Sequence, residues 1–398
     1  MRISTNMIFQ RGTNGILDQQ AQVSKTQLQM SSGKKVVTPS DNPPAAAQIL
    51  QLQHSIDLHN TYQTNIGYAQ TSLNTEESVI SNINDVLQRI RVLAVQANNG
   101  VMTSSDLQSI SQEVQQDLSG LVALANSQDG SGNYLFSGNR TTITPFSQNG
   151  SVYTYAGDQA QRALQIGEGR QVAISDSGYN VFQAIKNGNG TFSTSYSNTN
   201  TGTGIIDAGQ VVDPSAWVPD TYTLNFLTPT SYEVRDSSNA LITSGTYQSG
   251  TPISFNGIQV TVNGNTAAGD SFTIAPSSNQ DVFTTIQKLV TAINGGVADP
   301  TTRAKYNTDV NQFLASIDQA MNHLDNVRAG IGARLNSIDN QNSANGDIIT
   351  ASQTALSSLQ DLDYTSAATR LSQQTLILQA AQQSFIKTSN LSLFNYIQ

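Results

Sequence analysis

Ile66-Gly67-Tyr68-Ala69-Gln70-Thr71-Ser72-Leu73-Asn74-Thr75-Glu76-Glu77-Ser78-Val79-Ile80-Ser81-Asn82-Ile83 is the stretch whose reading decides the fold. Ile66, Leu73 and Ile80 recur every seven residues, and Ala69 and Ile83 lie three residues further on, which is one apolar face of a helix and not the alternation of a strand. Outward from it, Leu52, Leu87 and Ala94 extend the first line, interrupted by His59, while Tyr62, Ile90 and Ala97 extend the second. The pattern predicts one helix from Ala45 to about Asn98. A helix of about 50 residues is roughly 75 Å long. Asn98-Asn99-Gly100 ends it, and Asp106 to Ala125 reads as a shorter returning helix.

Upstream, Phe9, Ile16, Val23 and Met30 repeat at sevens, with Leu17 and Leu28 beside them. A breaker follows. Gly33 suits a left-handed helix cap, Pro39 restricts Thr38, and Asn42 can cap a new helix whose first turn tolerates Pro43 and Pro44.

Downstream, the helical pattern resumes near Asp281 and continues almost to the end. Val310, Ile317, Leu324, Ile331 and Ile338 form one line, and Phe313, Ala320 and Val327 the other. The polar run from Asn340 to Gly346 is expected to shift the phase, after which Tyr364, Leu371, Leu378 and Phe385 stand at sevens. The chain then finishes Leu391-Ser392-Leu393-Phe394-Asn395-Tyr396-Ile397-Gln398. Heptads in segments of matching length at both ends predict that the N- and C-terminal helices pack side by side.

Between the helices, Tyr134 to Arg140 and Val152 to Asp158 read as short strands meeting glycine turns. Residues 187–204, almost all Asn, Gly, Thr and Ser, read as a loop or linker. Alternation then predicts an all-β module: Tyr222, Leu224 and Phe226; Ile253 and Phe255 before the Asn256-Gly257 turn; Ile258, Val260 and Val262; Phe272 and Ile274. The fold class is therefore α+β: a long coiled-coil-like helical rod from both termini, carrying a β-rich inserted domain.

Composition narrows the function. A chain of 398 residues exceeds the size of a single core. Charged residues are only 12%, and 19 basic against 28 acidic residues leave no basic, aromatic-studded patch for nucleic acid. With no cysteine there is no disulfide, thiolate nucleophile or Cys-ligated metal. The N-terminus lacks the apolar core of a cleaved signal, and no run of about 18 apolar residues predicts a membrane span.

Catalytic material is sparse. His54 and His59 are five apart and off a common helix face, and His323 stands alone. Neither a G-x-S-x-G elbow nor a phosphate-cradling loop occurs. Asp213, Asp220 and Asp270 adjoin Pro, Thr or Gly and read as turn residues. Trp217, Tyr222, Tyr232 and Tyr247 offer two readings, a sugar-binding face or the β-module core. No cofactor or metal is expected.

The two ends resemble the flagellin superfamily. Ile3-Ser4-Thr5-Asn6, then Leu28-Gln29-Met30-Ser31-Ser32-Gly33-Lys34-Lys35 and Pro39-Ser40-Asp41-Asn42-Pro43-Pro44-Ala45-Ala46, are similar to its N-terminal region. The proline-containing form, the segment Gln379-Ala380-Ala381-Gln382-Gln383-Ser384-Phe385 and the ending through Leu393, Phe394 and Ile397 resemble the hook-associated protein 3 family within it. So do Tyr134 to Gly138 and Thr144-Pro145-Phe146, while Ser254 to Ile258 through Gly269 to Phe272 resemble a β module shared among hook-associated proteins.

The resemblance implies a structural, non-enzymatic subunit connecting hook to filament, the rival reading being a filament flagellin. It implies a terminal assembly domain (1–45 and 350–398), a rod with a small β-hairpin region (46–186 and 281–349) and an outer β domain (187–280). It implies a secreted protein exported through the flagellar type III apparatus. The partners implied are copies of itself in a ring, the other junction protein, flagellin and an export chaperone, with no nucleic acid and no membrane insertion. The residues expected at the assembly interface are Phe9, Ile16, Val23, Met30, Leu371, Leu378, Phe385, Leu393 and Phe394.

Overall fold

The computed structural model describes residues 5–100 and 102–390. Three helices open the chain: α1 (Thr5–Ser32), α2 (Pro43–Ala97) and α3 (Ser104–Ala125). Thirteen short strands follow, β1 (Phe146–Asn149) to β13 (Ser271–Pro276), interrupted by one π-helical turn (Tyr179–Gln183). Helices α4 (Val282–Asn294), α5 (Pro300–Gln360) and α6 (Tyr364–Asn390) close it. The fold is α+β, with long helices from both ends and a β-rich middle. It forms two compact units, one from residues 1–64 and 340–398, the other from residues 65–339.

In the second unit the heptad lines become the core. Ile66, Leu73, Ile80, Ile83, Leu87 and Ile90 of α2 join Val310, Ile317, Leu324, Ile331 and Ile338 of α5 in one apolar cluster, each at most 1% exposed. Each such side chain contributes roughly 1.5 to 3 kcal/mol by leaving water. Ion pairs from Arg91 to Asp318 (2.6 Å) and from Arg328 to Glu77 (2.7 Å) fix the register of the two helices from outside the seam. Helix α3 adds Leu107, Val114, Leu118 and Leu121 to the same core. It starts two residues before the expected Asp106, because Thr103 and Asp106 form a reciprocal capping box.

The hairpins β1–β2 (Val152–Tyr155) and β3 (Ala163–Gly167)–β4 (Arg170–Ala173) pack beside this core. A separate cluster fills the β module, whose five-stranded sheet runs β10 (Leu241–Thr246), β9 (Ser231–Arg235), β8 (Tyr222–Thr228), β13 and β5 (Phe192–Tyr196). The second sheet runs β11 (Pro252–Phe255), β12 (Ile258–Asn263) and β6 (Ile205–Ile206), with β7 (Gln210–Val211) also pairing β12. Tyr222, Leu224 and Phe226 of β8 (Tyr222–Thr228) and Ile258, Val260 and Val262 of β12 (Ile258–Asn263) point into that cluster, following the alternation read in the sequence.

Three local expectations are corrected. Tyr134 to Arg140 forms turns and a single bridge from Tyr134 to Gln128 instead of a strand, because Leu135 and Phe136 are both buried and a half-exposed strand cannot bury successive residues. Residues 187–204 are not only a loop: β5 (Phe192–Tyr196) pairs with β13 and buries Phe192 completely.

The run from Asn340 to Gly346 does not shift the phase. Ile338, Asn345 and Ser352 continue the same seven-residue line, all buried, so polar side chains occupy seam positions and α5 runs through. The breaks lie instead at Gly295 to Asp299 and at Asp361 to Asp363, where the side chains of Asp299 and Asp363 accept backbone N–H bonds at the starts of α5 and α6.

Candidate assembly surface

The first unit is built by two corners and the helices leaving them. At one corner Gly33 adopts φ +68°, the left-handed conformation that ends α1. Its carbonyl accepts the N–H of Leu362 at 3.0 Å, and the Lys35 N–H reaches the carbonyl of Gln360 at 2.6 Å. The turn after α1 is thereby stitched to the turn between α5 and α6. Asp41 organises the rest of that corner, accepting the N–H groups of Val37 (3.1 Å) and Thr38 (2.9 Å) while pairing with Lys25 at 2.8 Å. The Lys25 ammonium, with the Thr38 and Val37 donors, holds its carboxyl well below the usual carboxylate range. Asn42 then caps α2 through the Ala45 N–H.

From these corners α1 and α6 run against each other. Gln374 accepts from the Thr26 hydroxyl at 2.7 Å through its side chain, and from Gln19 at 3.2 Å through its carbonyl. Towards the other end the rings of Phe9 and Phe385 meet edge to face. Gly12 makes room: a Cβ there would lie 2.7 Å from Phe385 Cδ2.

Seven of the nine residues expected at an interface lie on the described parts of α1 and α6. Val23 is buried, and Phe9, Ile16, Met30, Leu371, Leu378 and Phe385 are half-buried. Leu393 and Phe394 lie outside the described residues. Other large apolar side chains of the two helices are exposed: Met7, Ile8 and, beside the heptad line, Leu17 and Leu28 on α1, and Leu376 (67%), Ile377 (54%) and Ile386 (57%) on α6, which the heptad reading passes over. Leu17 and Leu28 are about three turns apart and so share a face, which is the signal the sequence offers. These large apolar side chains stay in water although α1 and α6 already pack against each other.

Two of the three histidines face backbone carbonyls. His59 Nδ1 lies 2.8 Å from the Ser55 carbonyl, and His323 Nε2 lies 2.6 Å from that of Asn180. Among the described residues, no group of three or more His, Asp or Glu has metal-site geometry. A cleft of about 710 Å³ lies between β5, α4 and α5, with Tyr196, Gln280, Lys288, Lys305 and Asp309 in its lining. Tyr196 donates to Asp309 (2.9 Å), whose carboxyl burial pushes upward, Lys305 donates to the Asn198 carbonyl (2.8 Å) and Lys288 to Gln280 (2.6 Å).

Tyr222 and Tyr247 are buried in the β-module core, and the Trp217 ring packs on Phe192 and Tyr222, which is the core reading of these aromatics. Asp213 and Asp270 accept backbone N–H groups in turns, as does Asp220 from Thr221. Among the described residues no helix is long and apolar enough to cross a membrane.

Three segments of the chain match known protein families. Residues 3–141 match the bacterial flagellin N-terminal helical region, and residues 314–397 the bacterial flagellin C-terminal helical region. Residues 195–276 match the D2-like domain of flagellar hook-associated protein 1. The chain is 25% identical to flagellar hook-associated protein 3 of Escherichia coli K12 over 99% of both chains.

The crystal structure of flagellar hook associated protein-3 from Legionella pneumophila is 34% identical, covering 78% of this chain and 98% of that one with a TM-score of 0.76. Similarity to phase 1 flagellin of Salmonella naestved is partial, at 33% identity over 31% of this chain and 25% of that one. On full-length likeness in sequence and fold, with the flagellin match confined to part of the chain, this protein belongs to the flagellar hook-associated protein 3 family and is a structural component of the bacterial flagellum.

Proposed function

We propose that this chain is the junction subunit that joins the hook to the flagellin filament, and that it does so as a ring of copies held by its terminal helices. The observation that carries the reading is the set of exposed apolar side chains on α1 and α6, Leu17, Leu28, Leu376, Ile377 and Ile386, on helices already paired with each other. Paired helices that still leave such residues in water gain by packing against further helices, and a ring supplies the same neighbour to every copy.

In this reading Phe9, Ile16, Val23, Met30, Leu371, Leu378 and Phe385 first hold the helix pair together and so present the outer face, while Leu393 and Phe394 extend the interface. Residues 1–45 and 350–398 are the assembly domain, 46–186 and 281–349 the rod, and 187–280 an outer β domain.

The other junction protein and flagellin are the axial neighbours. The chain acts without catalysis, reaches its place outside the cell through the flagellar type III apparatus, and is held before export by a chaperone on the C-terminal segment. The test is a strain lacking this protein: hooks without filaments, with flagellin released to the medium and attachment restored by the intact chain, support the reading. Full filaments in that strain overturn it.

A further inference from the structure

Glu76 stands where the α2 seam calls for an apolar residue: Tyr62, Ala69, Ile83, Ile90 and Ala97 share its heptad line, and Glu76 is itself only 1% exposed. Its Oε1 accepts the Asp176 N–H at 2.9 Å, while its Oε2 is buried without a hydrogen-bond partner. Asp176, 4% exposed, lies on the segment that follows β4, and that segment is strapped down at several points. Ser72 donates to the Ile174 carbonyl (2.8 Å), Arg334 of α5 binds the Asp176 carboxylate, and Gln161 donates to Asp176 Oδ1 (2.6 Å).

Three charged groups face Glu76. Asp176 comes from the strap, Arg334 from α5, and Arg162 from the segment before β3. Arg334 is engaged by Asp176, and Arg162 keeps its Nε and one Nη buried without a hydrogen-bonded partner. The pocket therefore holds two carboxyl groups and two guanidinium groups, of which that of Arg334 is engaged by Asp176 and that of Arg162 makes no hydrogen bond to Glu76. A second buried negative charge there has no direct partner and meets Asp176 as a like charge, whereas an unpartnered neutral hydroxyl costs much less.

We propose that Glu76 is a proton-operated latch: as the neutral acid it pins the 174–177 strap to α2, and loss of its proton frees the strap from the α2 and α5 helices. Burial first, and the nearby Asp176 carboxylate second, push the Glu76 carboxyl up to about 8. The group binds its proton more tightly when the strap is closed than when it is open, where an ordinary value near 4.5 applies. The closed state is thus fully favoured at acid pH and loses ground as pH rises from the open-state value towards about 8, above which the loss is complete.

The experiment is amide hydrogen exchange on the intact chain, corrected for intrinsic rates, following Asp176 and its neighbours from about pH 6 to about pH 8. The opening constant of the strap is expected to rise about tenfold per pH unit in the wild type and to stay level in Glu76→Gln, which keeps the acceptor and cannot ionise. Should Glu76→Gln fold poorly, Asp176→Asn removes the like charge, and its opening should then begin to level off at lower pH than in the wild type. Parallel pH profiles for the wild type and a folded Glu76→Gln, or an unshifted profile in Asp176→Asn, overturn the proposal.

Discussion

The ring of Phe9 meets that of Phe385 edge to face, with centroids 6.0 Å apart and planes at 81°. The two residues come from opposite ends of the sequence, so this contact reports directly on whether the terminal helices are paired. Edge-to-face packing adds about 0.5 to 1.5 kcal/mol to the burial itself. Phe385→Ala is expected to loosen α1 from α6 by about 1 to 3 kcal/mol. Amide exchange across α1, around Gln10 to Ile16, should quicken accordingly while α3 and the β module stay protected; unchanged exchange in α1 would remove Phe385 from the pairing.

Gly33 is the second structural test. At φ +68° any other residue is strained, and a Cβ would sit 3.1 Å from the Tyr364 hydroxyl. Gly33→Ala should destabilise the corner by about 1 to 2 kcal/mol. The Leu362 and Lys35 amides, which bond across that corner, should lose protection together. If only one of the two responds, the corners are not coupled.

The Asp41 carboxylate gives a pH dependence of opposite sign to that of Glu76. Its folded-state pKa is depressed, chiefly by Lys25, so its contribution is complete above the ordinary carboxylate value near 4 and disappears as pH falls below that value. Protection of the Val37 and Thr38 amides should hold at neutral pH and fall in acid. Asp41→Asn should show weakened protection at neutral pH with no further acid step. A wild-type profile identical to that of the variant would contradict the assignment.

These corners were partly legible in the sequence, and the reasons differ by residue. Gly33, Asn42 and Pro43 carry local conformational signals, so the first corner was readable. The second, Asp361-Leu362-Asp363, contains neither Gly nor Pro and depends on side-chain caps and on hydrogen bonds to the first corner. The seams of α2 and α5 were readable because apolar residues repeat with a fixed period. Asn345 and Ser352 hid the continuation of α5, since burial there is polar and pairs Gln341 with Asn345 at 2.9 Å.

Strand β5 was hidden for a related reason. Its flanks are Asn, Gly, Thr and Ser, and its order comes from pairing with β13 and from Gln312 of α5 bonding the Thr194 backbone. On α1 and α6 the heptad reading named Val23, which is buried, and Phe9, Ile16, Met30, Leu371, Leu378 and Phe385, which are half-buried. It passed over Leu376, Ile377 and Ile386, because a residue that stays in water in one chain breaks the period of that chain's own core.

The β module enters and leaves through adjacent strands of backbone. Asn187 N–H donates to the Ser278 carbonyl at 3.1 Å, and Ser278 N–H to the Asn187 side chain at 3.0 Å. Replacing residues 190–276 by a short Gly/Ser joint should therefore leave the α2, α3, α4 and α5 core cooperatively folded, with its thermal transition intact. Collapse of that transition would show that the module supports the helices and is not merely carried by them.

The central claim is that the exposed apolar face of α1 and α6 joins copies of this chain. Leu376, at 67% exposed, loses nothing in the isolated chain when it becomes charged, yet a ring would repeat the cost of burying that charge in every copy. The decisive measurement is electron microscopy of flagella from cells whose only copy carries Leu376→Asp, with secretion of the variant and its monomeric thermal unfolding verified. The account predicts wild-type unfolding, normal release to the medium and hooks that carry no filament. Full-length filaments on those hooks, from a secreted and folded Leu376→Asp protein, would contradict it.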